Sequence, residues 1–232
     1  MSHAGHTVPA PEGFVPHVVA HHFESQEQEY QSAKLGFWLF LCTEVLLFGG
    51  LFAAFFYYKS MYQADFVRGG ELLAWKMGTL NTVILLASSY TMAMAVRSAQ
   101  LTKKKAMLNY LLITLICGAG FMVVKYFEYT SKIHHGFLPG VFFVPNAEAL
   151  IEFPGLLDFP RLNLFFALYW TMTGIHGFHV LVGMFLMVWL YWRGKKGHFH
   201  KGHYMPVDLV GLYWHLVDLI WIFLFPLLYL VP

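Results

Sequence analysis

Cysteine is nearly absent: Cys42 and Cys117 are the only two in 232 residues. Both stand in apolar runs, so neither a disulfide framework nor a cysteine-based zinc or iron–sulfur site can be built from them. Charge is scarce as well. Asp, Glu, Lys and Arg make up 12% of the chain, against about 25% in a typical soluble domain, which excludes a water-soluble globule. An excess of one sign is also missing, since 15 Lys and Arg against 13 Asp and Glu leave a net charge of +2. That is no basis for holding a phosphate backbone, and nucleic acid is excluded as a partner. Residues 1–33 contain no Lys or Arg, and the first apolar run starts too late and is too long for a cleaved leader. A retained, polar, His-containing N-terminal tail over 1–33 is expected. No internal repeat of 20–50 residues is visible.

What the chain has in plenty is apolar surface: 58% of residues are hydrophobic and 19% aromatic. Five apolar runs, at about 35–58, 77–96, 106–129, 162–192 and 209–231, are each long enough to cross a hydrocarbon layer of about 30 Å at about 1.5 Å per residue. Lipid offers the backbone no hydrogen bonds, and runs of this length without strand alternation leave only helices. The fold class read from the sequence is all-α, an integral membrane bundle of five transmembrane helices over 34–232. The segment 130–161 carries Pro139, Pro145, Pro154 and Pro160 and is expected to be an ordered outer loop without a long helix. Lys34, Arg97, Lys103, Lys104, Lys105, Arg193, Lys195, Lys196 and Lys201 fall on one side of the membrane in short segments, and fewer cations fall on the other. The positive-inside bias therefore predicts a cytoplasmic N-terminus and an outer C-terminus.

Residues with chemistry are those that lipid penalises. Glu44 lies ten residues inside Lys34 and Asp218 ten inside Asp208, each about 15 Å deep at helical rise. His215 and Asp218 are three apart and share a helix face, as do His176 and His179. Bundles hold cofactors on such His pairs, but interhelical hydrogen bonding is the commoner fate, and no metal site is expected. His198, His200 and His203, set among Lys195, Lys196 and Lys201, are expected to form a solvated basic turn. Gly174, Gly177 and Gly183, with Ser88, Ser89 and Ala93, are expected to mark close helix contacts. Phe55-Phe56-Tyr57-Tyr58 and Tyr191-Trp192 suit an interfacial aromatic belt.

Four stretches resemble one family: Thr43-Glu44-Val45-Leu46-Leu47-Phe48; Leu80-Asn81-Thr82 with Leu85-Leu86-Ala87-Ser88; Gly174-Ile175-His176-Gly177-Phe178-His179-Val180; and Tyr213-Trp214-His215-Leu216-Val217-Asp218-Leu219-Ile220-Trp221. Tyr126-Phe127-Glu128-Tyr129 is similar too. Together they resemble subunit III of the haem–copper terminal oxidases of the cytochrome c oxidase type, in its five-helix bacterial form. The resemblance implies an accessory core subunit of an oxidase that reduces oxygen to water, in the bacterial cytoplasmic membrane. Haem and copper would reside in partner subunits and none in this chain. It implies contact with the catalytic subunit I, with subunit II and other subunits, and with bound phospholipid, while the long loop at 130–161 is a candidate contact with a donor complex in a supercomplex. By the same resemblance Glu44 is the proton-related carboxylate, while His176, His179, His215, Asp218 and Glu128 form a polar interhelical core. Arg193 would meet lipid headgroups. By the same resemblance, the two N-terminal helices of longer members are expected to have no counterpart in this sequence. A quinol oxidase subunit III is the nearest alternative. A stand-alone proton-coupled transporter would use the same buried groups as a relay, but its inverted repeats and interrupted helices are not visible; a pure scaffold remains a further alternative.

Overall fold

The computed structural model describes residues 7–230. A short hairpin of β1 (Thr7–Val8) and β2 (His17–Val18), with Thr7 opposite Val18 and Val8 opposite His17, opens the chain. Helices follow at α1 (Gln26–Met61), α2 (Gln63–Glu71), α3 (Trp75–Gln100), α4 (Lys104–His134), α5 (Ala147–Glu152), α6 (Leu162–Lys195) and α7 (Met205–Phe225). A π-helical turn, Pro226–Leu230, extends α7 where Pro226 removes a backbone donor. Five of these segments are long and apolar enough to span a bilayer, which agrees with the five expected runs. Their ends differ from the apolar boundaries. Helix α1 begins at Gln26 rather than near 35, inside the expected tail, with Glu27 and Glu29 favourably placed in its first turn. Helix α4 likewise continues past Tyr129 to His134.

The residues fall into two compact units, to each of which all five long helices contribute a segment. The first comprises Met1–Glu44, Leu86–Gly118 and Val180–Leu216. Its core is built on Trp214, fully buried, whose indole N–H donates to Ser88 Oγ at 3.0 Å. Gly183 lets that ring approach, for a Cβ there would stand 2.8 Å from Trp214. Gly174 and Gly177, expected to do the same, face open space instead. Helix α3 ends in a Schellman turn, with Lys103 N–H donating to Ser98 O at 2.8 Å and Thr102 N–H to Ala99 O at 3.0 Å. The left-handed position falls on Thr102, φ 59°, whose hydroxyl accepts from the Lys201 N–H at 3.1 Å. The turn at His198–His203 is not the solvated basic turn expected: His200 is 1% exposed, because the N-terminal segment packs over it.

The second unit comprises Val45–Leu85, Ala119–His179 and Val217–Pro232. The segment after α4 is ordered by four hydrogen bonds. Asn146 caps α5 through Ala149 N–H at 2.8 Å and donates to His134 O at 2.8 Å. Trp170 donates to Phe137 O at 2.8 Å, and Asp65 on α2 accepts the Arg161 N–H at 2.7 Å at the entry to α6. Beneath it Phe137 stacks on Phe143 and Phe166, with centroids 5.8 and 5.0 Å away. Phe55, expected in an interfacial belt, is 1% exposed and packs edge-on to Phe66. Its neighbours Phe56 and Tyr57 are exposed, as a belt requires.

Candidate functional site

The most concentrated polar chemistry lies within the second unit. Lys125 and Glu128, one turn apart on α4, are both buried and form an ion pair at 3.0 Å. The carboxylate accepts on its other oxygen from Tyr169 OH of α6 at 2.9 Å and from Tyr229 OH of the terminal turn at 2.5 Å. The ammonium donates to the same two hydroxyls, at 3.3 and 3.2 Å. Every member is thus both neutralised and hydrogen-bonded, the condition under which a buried ion pair is tolerated. Aromatic faces close the cage: Lys125 Nζ is 4.9 Å from the Tyr129 ring and 5.3 Å from that of Trp221. Tyr129 OH donates to Thr173 Oγ1 at 2.7 Å, and Trp221 donates to Thr82 Oγ1 at 3.1 Å. Lys132, also buried, donates to Leu72 O.

Glu128 is one of the core residues that the family resemblance implies, whereas Lys125, Tyr169 and Tyr229 are not. An intramembrane Lys with an acid three residues on is a readable signal; the tyrosines, distant in sequence, gave none. His176 is fully buried between Phe121, edge-on at 5.6 Å, and Trp221 at 5.2 Å. Neither ring nitrogen has a hydrogen-bond partner among the described residues, so its contacts are with aromatic rings rather than the expected interhelical donors and acceptors. His179 Nδ1 meets Ile175 O of its own helix at 2.8 Å, and its ring meets Phe48 edge-on at 5.5 Å. Asp218, 3% exposed, belongs to this unit as well.

The first unit holds the rest. His215 Nδ1 faces Ser89 Oγ on α3 at 2.7 Å. Glu44 is half-buried on α1. Arg193 lies over the Trp189 ring at 5.2 Å and lines, with Phe185, Val188, Trp192 and Lys196, an apolar groove of about 420 Å3. Two cations at the end of a groove walled by tryptophan match the chemistry of an anionic headgroup above an acyl chain. No cluster of three or more His, Cys, Asp or Glu suited to a metal ion occurs among the described residues.

A family model described as cytochrome c oxidase subunit III matches residues 19–146 and 162–231. The chain belongs to the cytochrome c oxidase subunit III family. The cytochrome c oxidase subunit 3 of Thermostichus vulcanus is 32% identical over 198 residues, covering 85% of this chain and 86% of that one. A quinol oxidase subunit 3 of Bacillus subtilis (strain 168) is 31% identical over 208 residues, with 88% and 91% covered. That of Loxodonta africana, a cytochrome c oxidase subunit 3, is 30% identical over 208 residues, with 86% and 69% covered. This subunit III is therefore an accessory, non-catalytic subunit of a haem–copper terminal oxidase, a multi-pass membrane protein that associates with other oxidase subunits. Glu44, Glu128, His176, His179, Arg193, His215 and Asp218 all lie in the matched stretches; α5 and the turn after it do not.

Proposed function

We propose that this subunit III belongs to a cytochrome c oxidase of the bacterial cytoplasmic membrane, seated against catalytic subunit I with subunit II and other subunits nearby. Its N-terminus would lie in the cytoplasm and its C-terminus outside. In this reading it stabilises subunit I, holds phospholipid and sustains proton uptake into the partner, whose haem and copper perform oxygen reduction. The observation that carries the proton role is Glu44. It is a half-buried carboxyl within a membrane-spanning helix whose sequence offers no Lys or Arg between Lys34 and Lys59. Such a group is costly in lipid and is retained where it serves a function. Arg193 over Trp189 supports the lipid role, the guanidinium meeting the headgroup phosphate and the groove taking an acyl chain.

Glu44→Gln tests the proton role because it keeps volume and hydrogen bonding but removes titration. The complex is expected to assemble, with slower proton uptake or faster inactivation during turnover. Identical uptake and inactivation in wild type and variant would reduce Glu44 to a helix–helix contact. Relatives of both donor types are similar to this chain, so a quinol oxidase is the second reading; turnover with reduced cytochrome c against quinol separates the two.

A further inference from the structure

We propose that the N-terminal segment around β2 is a pH-released strap: protonation of His203, whose imidazole stacks on that of His17, frees it from the connection between α6 and α7. The strap is docked by several independent contacts, all within the first unit. Val15 N–H donates to Gly197 O at 3.0 Å. Phe14 meets the His200 ring edge-on at 5.8 Å, and Val19 is 3% exposed. At the centre, the His17 and His203 rings stack with centroids 3.9 Å apart and planes inclined by 13°. His203 N–H also donates to His200 O at 2.8 Å, closing the connection on itself.

Two imidazoles at that separation are compatible while at least one is neutral. His17 Nε2 lies 2.7 Å from Glu29 Oε2 on α1. His203 has no carboxylate within ion-pair distance among the described residues. Facing it are His17 from the strap, His198 and His200 from the connection, and Arg193 from α6. Glu27, Glu29 and Tyr30 of α1, with Lys201 and Tyr204, line the adjoining groove of about 250 Å3. Lys196 stands near His198, Lys104 of α4 stands beside Gly197, and Asp208 of α7 is taken by Tyr30 OH at 3.0 Å. A proton taken from solvent by His203 therefore meets burial, a second imidazole and mostly cationic neighbours, and separation of the strap relieves the first two.

Geometry and titration agree in sign. Burial first, then His17 and the other cations, push His203 down from 6.5 to about 4, and burial pushes His200 down as well. A group lowered in the docked state supports docking fully above its free value and loses that support as pH falls. The window runs from 6.5 down to about 4. Each imidazole that gains its proton only on release shifts the docked-to-free ratio about tenfold per pH unit.

Hydrogen exchange on the intact oxidase complex reads this at the Val15 amide, with intrinsic rates corrected for pH. Protection is expected to fall about tenfold or more between pH 7 and pH 5 and to return on neutralisation. His203→Phe, which keeps the stack without titrating, should stay protected at pH 5. Constant protection in wild type, or an equal loss in His203→Phe, would overturn the strap. Should that variant not assemble, His203→Tyr, also an aromatic ring that does not titrate between pH 7 and pH 5, replaces it with the same expectation, and the wild-type titration still decides. Nothing in this test depends on the role given to Glu44.

Discussion

Lys125 shows how a residue that lipid should reject is accommodated. The residue is 5% exposed, yet its ammonium has a carboxylate, two phenol oxygens and the faces of Tyr129 and Trp221 around it. Removing one partner of such a pair leaves the other charge uncompensated, at a cost of about 3–5 kcal/mol, whereas replacing both with well-packed apolar groups is often near neutral. Lys125→Met is thus expected to lower the thermal stability of the detergent-solubilised subunit far more than Lys125→Met with Glu128→Met. Equal losses would mean that the cage contributes packing and not charge compensation. His176 is the contrasting case. It lies among aromatic rings, whose edge and face contacts, of the kind worth about 0.5–1.5 kcal/mol between aromatic pairs, offset part of the cost of burying its ring nitrogens.

At the scale of the helices, small residues matter only where a neighbour actually approaches. Gly183 and Gly174 sit nine residues apart on α6 and look alike in sequence. A Cβ at Gly183 would reach within 2.8 Å of the Trp214 ring, while one at Gly174 would touch nothing within 4 Å. Gly183→Val should force Trp214 and its bond to Ser88 aside and cost about 1–3 kcal/mol, the range for overpacking. Gly174→Ala should leave the subunit unchanged or slightly more stable, since Ala favours the helix by roughly 1 kcal/mol. Thermal denaturation of both variants checks the pair; a Gly174→Ala loss equal to that of Gly183→Val would refute this assignment. The α3 to α4 turn carries a local cost of its own. Thr102 takes a left-handed conformation that a β-branched residue disfavours, and its bond from Lys201 offsets part of that cost.

For the whole molecule, membership in the subunit III family means that the redox chemistry is expected in partner chains. A tagged chain extracted in mild detergent should co-purify with haem absorbance. Stripped of its partners, it should retain neither copper nor iron after chelation. Stoichiometric metal surviving that treatment would demand His ligands that the geometry does not provide among the described residues. Span number, helical class and the penalty on Glu44, His215 and Asp218 were legible from residue order, because hydrocarbon thickness and backbone hydrogen bonding act on each segment separately. The family was legible too, through motifs that lie within single helices. Partnership between helices was not. That Glu128 would meet Tyr169 and Tyr229, that His176 would face Trp221, and that Gly183 rather than Gly174 would be the point of close approach depend on helix rotation and depth. Those are set by packing many apolar side chains of nearly equal hydropathy, which leave no period in the sequence to reveal the rotation. The burial of His200 was hidden for a related reason: it follows from the N-terminal segment folding back on a connection far along the chain, and polar composition alone cannot report such a contact. The helical start at Gln26 instead follows a local signal, Ser25 Oγ accepting from the Gln28 N–H at 3.2 Å and Gln28 Oε1 from the Glu24 N–H at 2.7 Å.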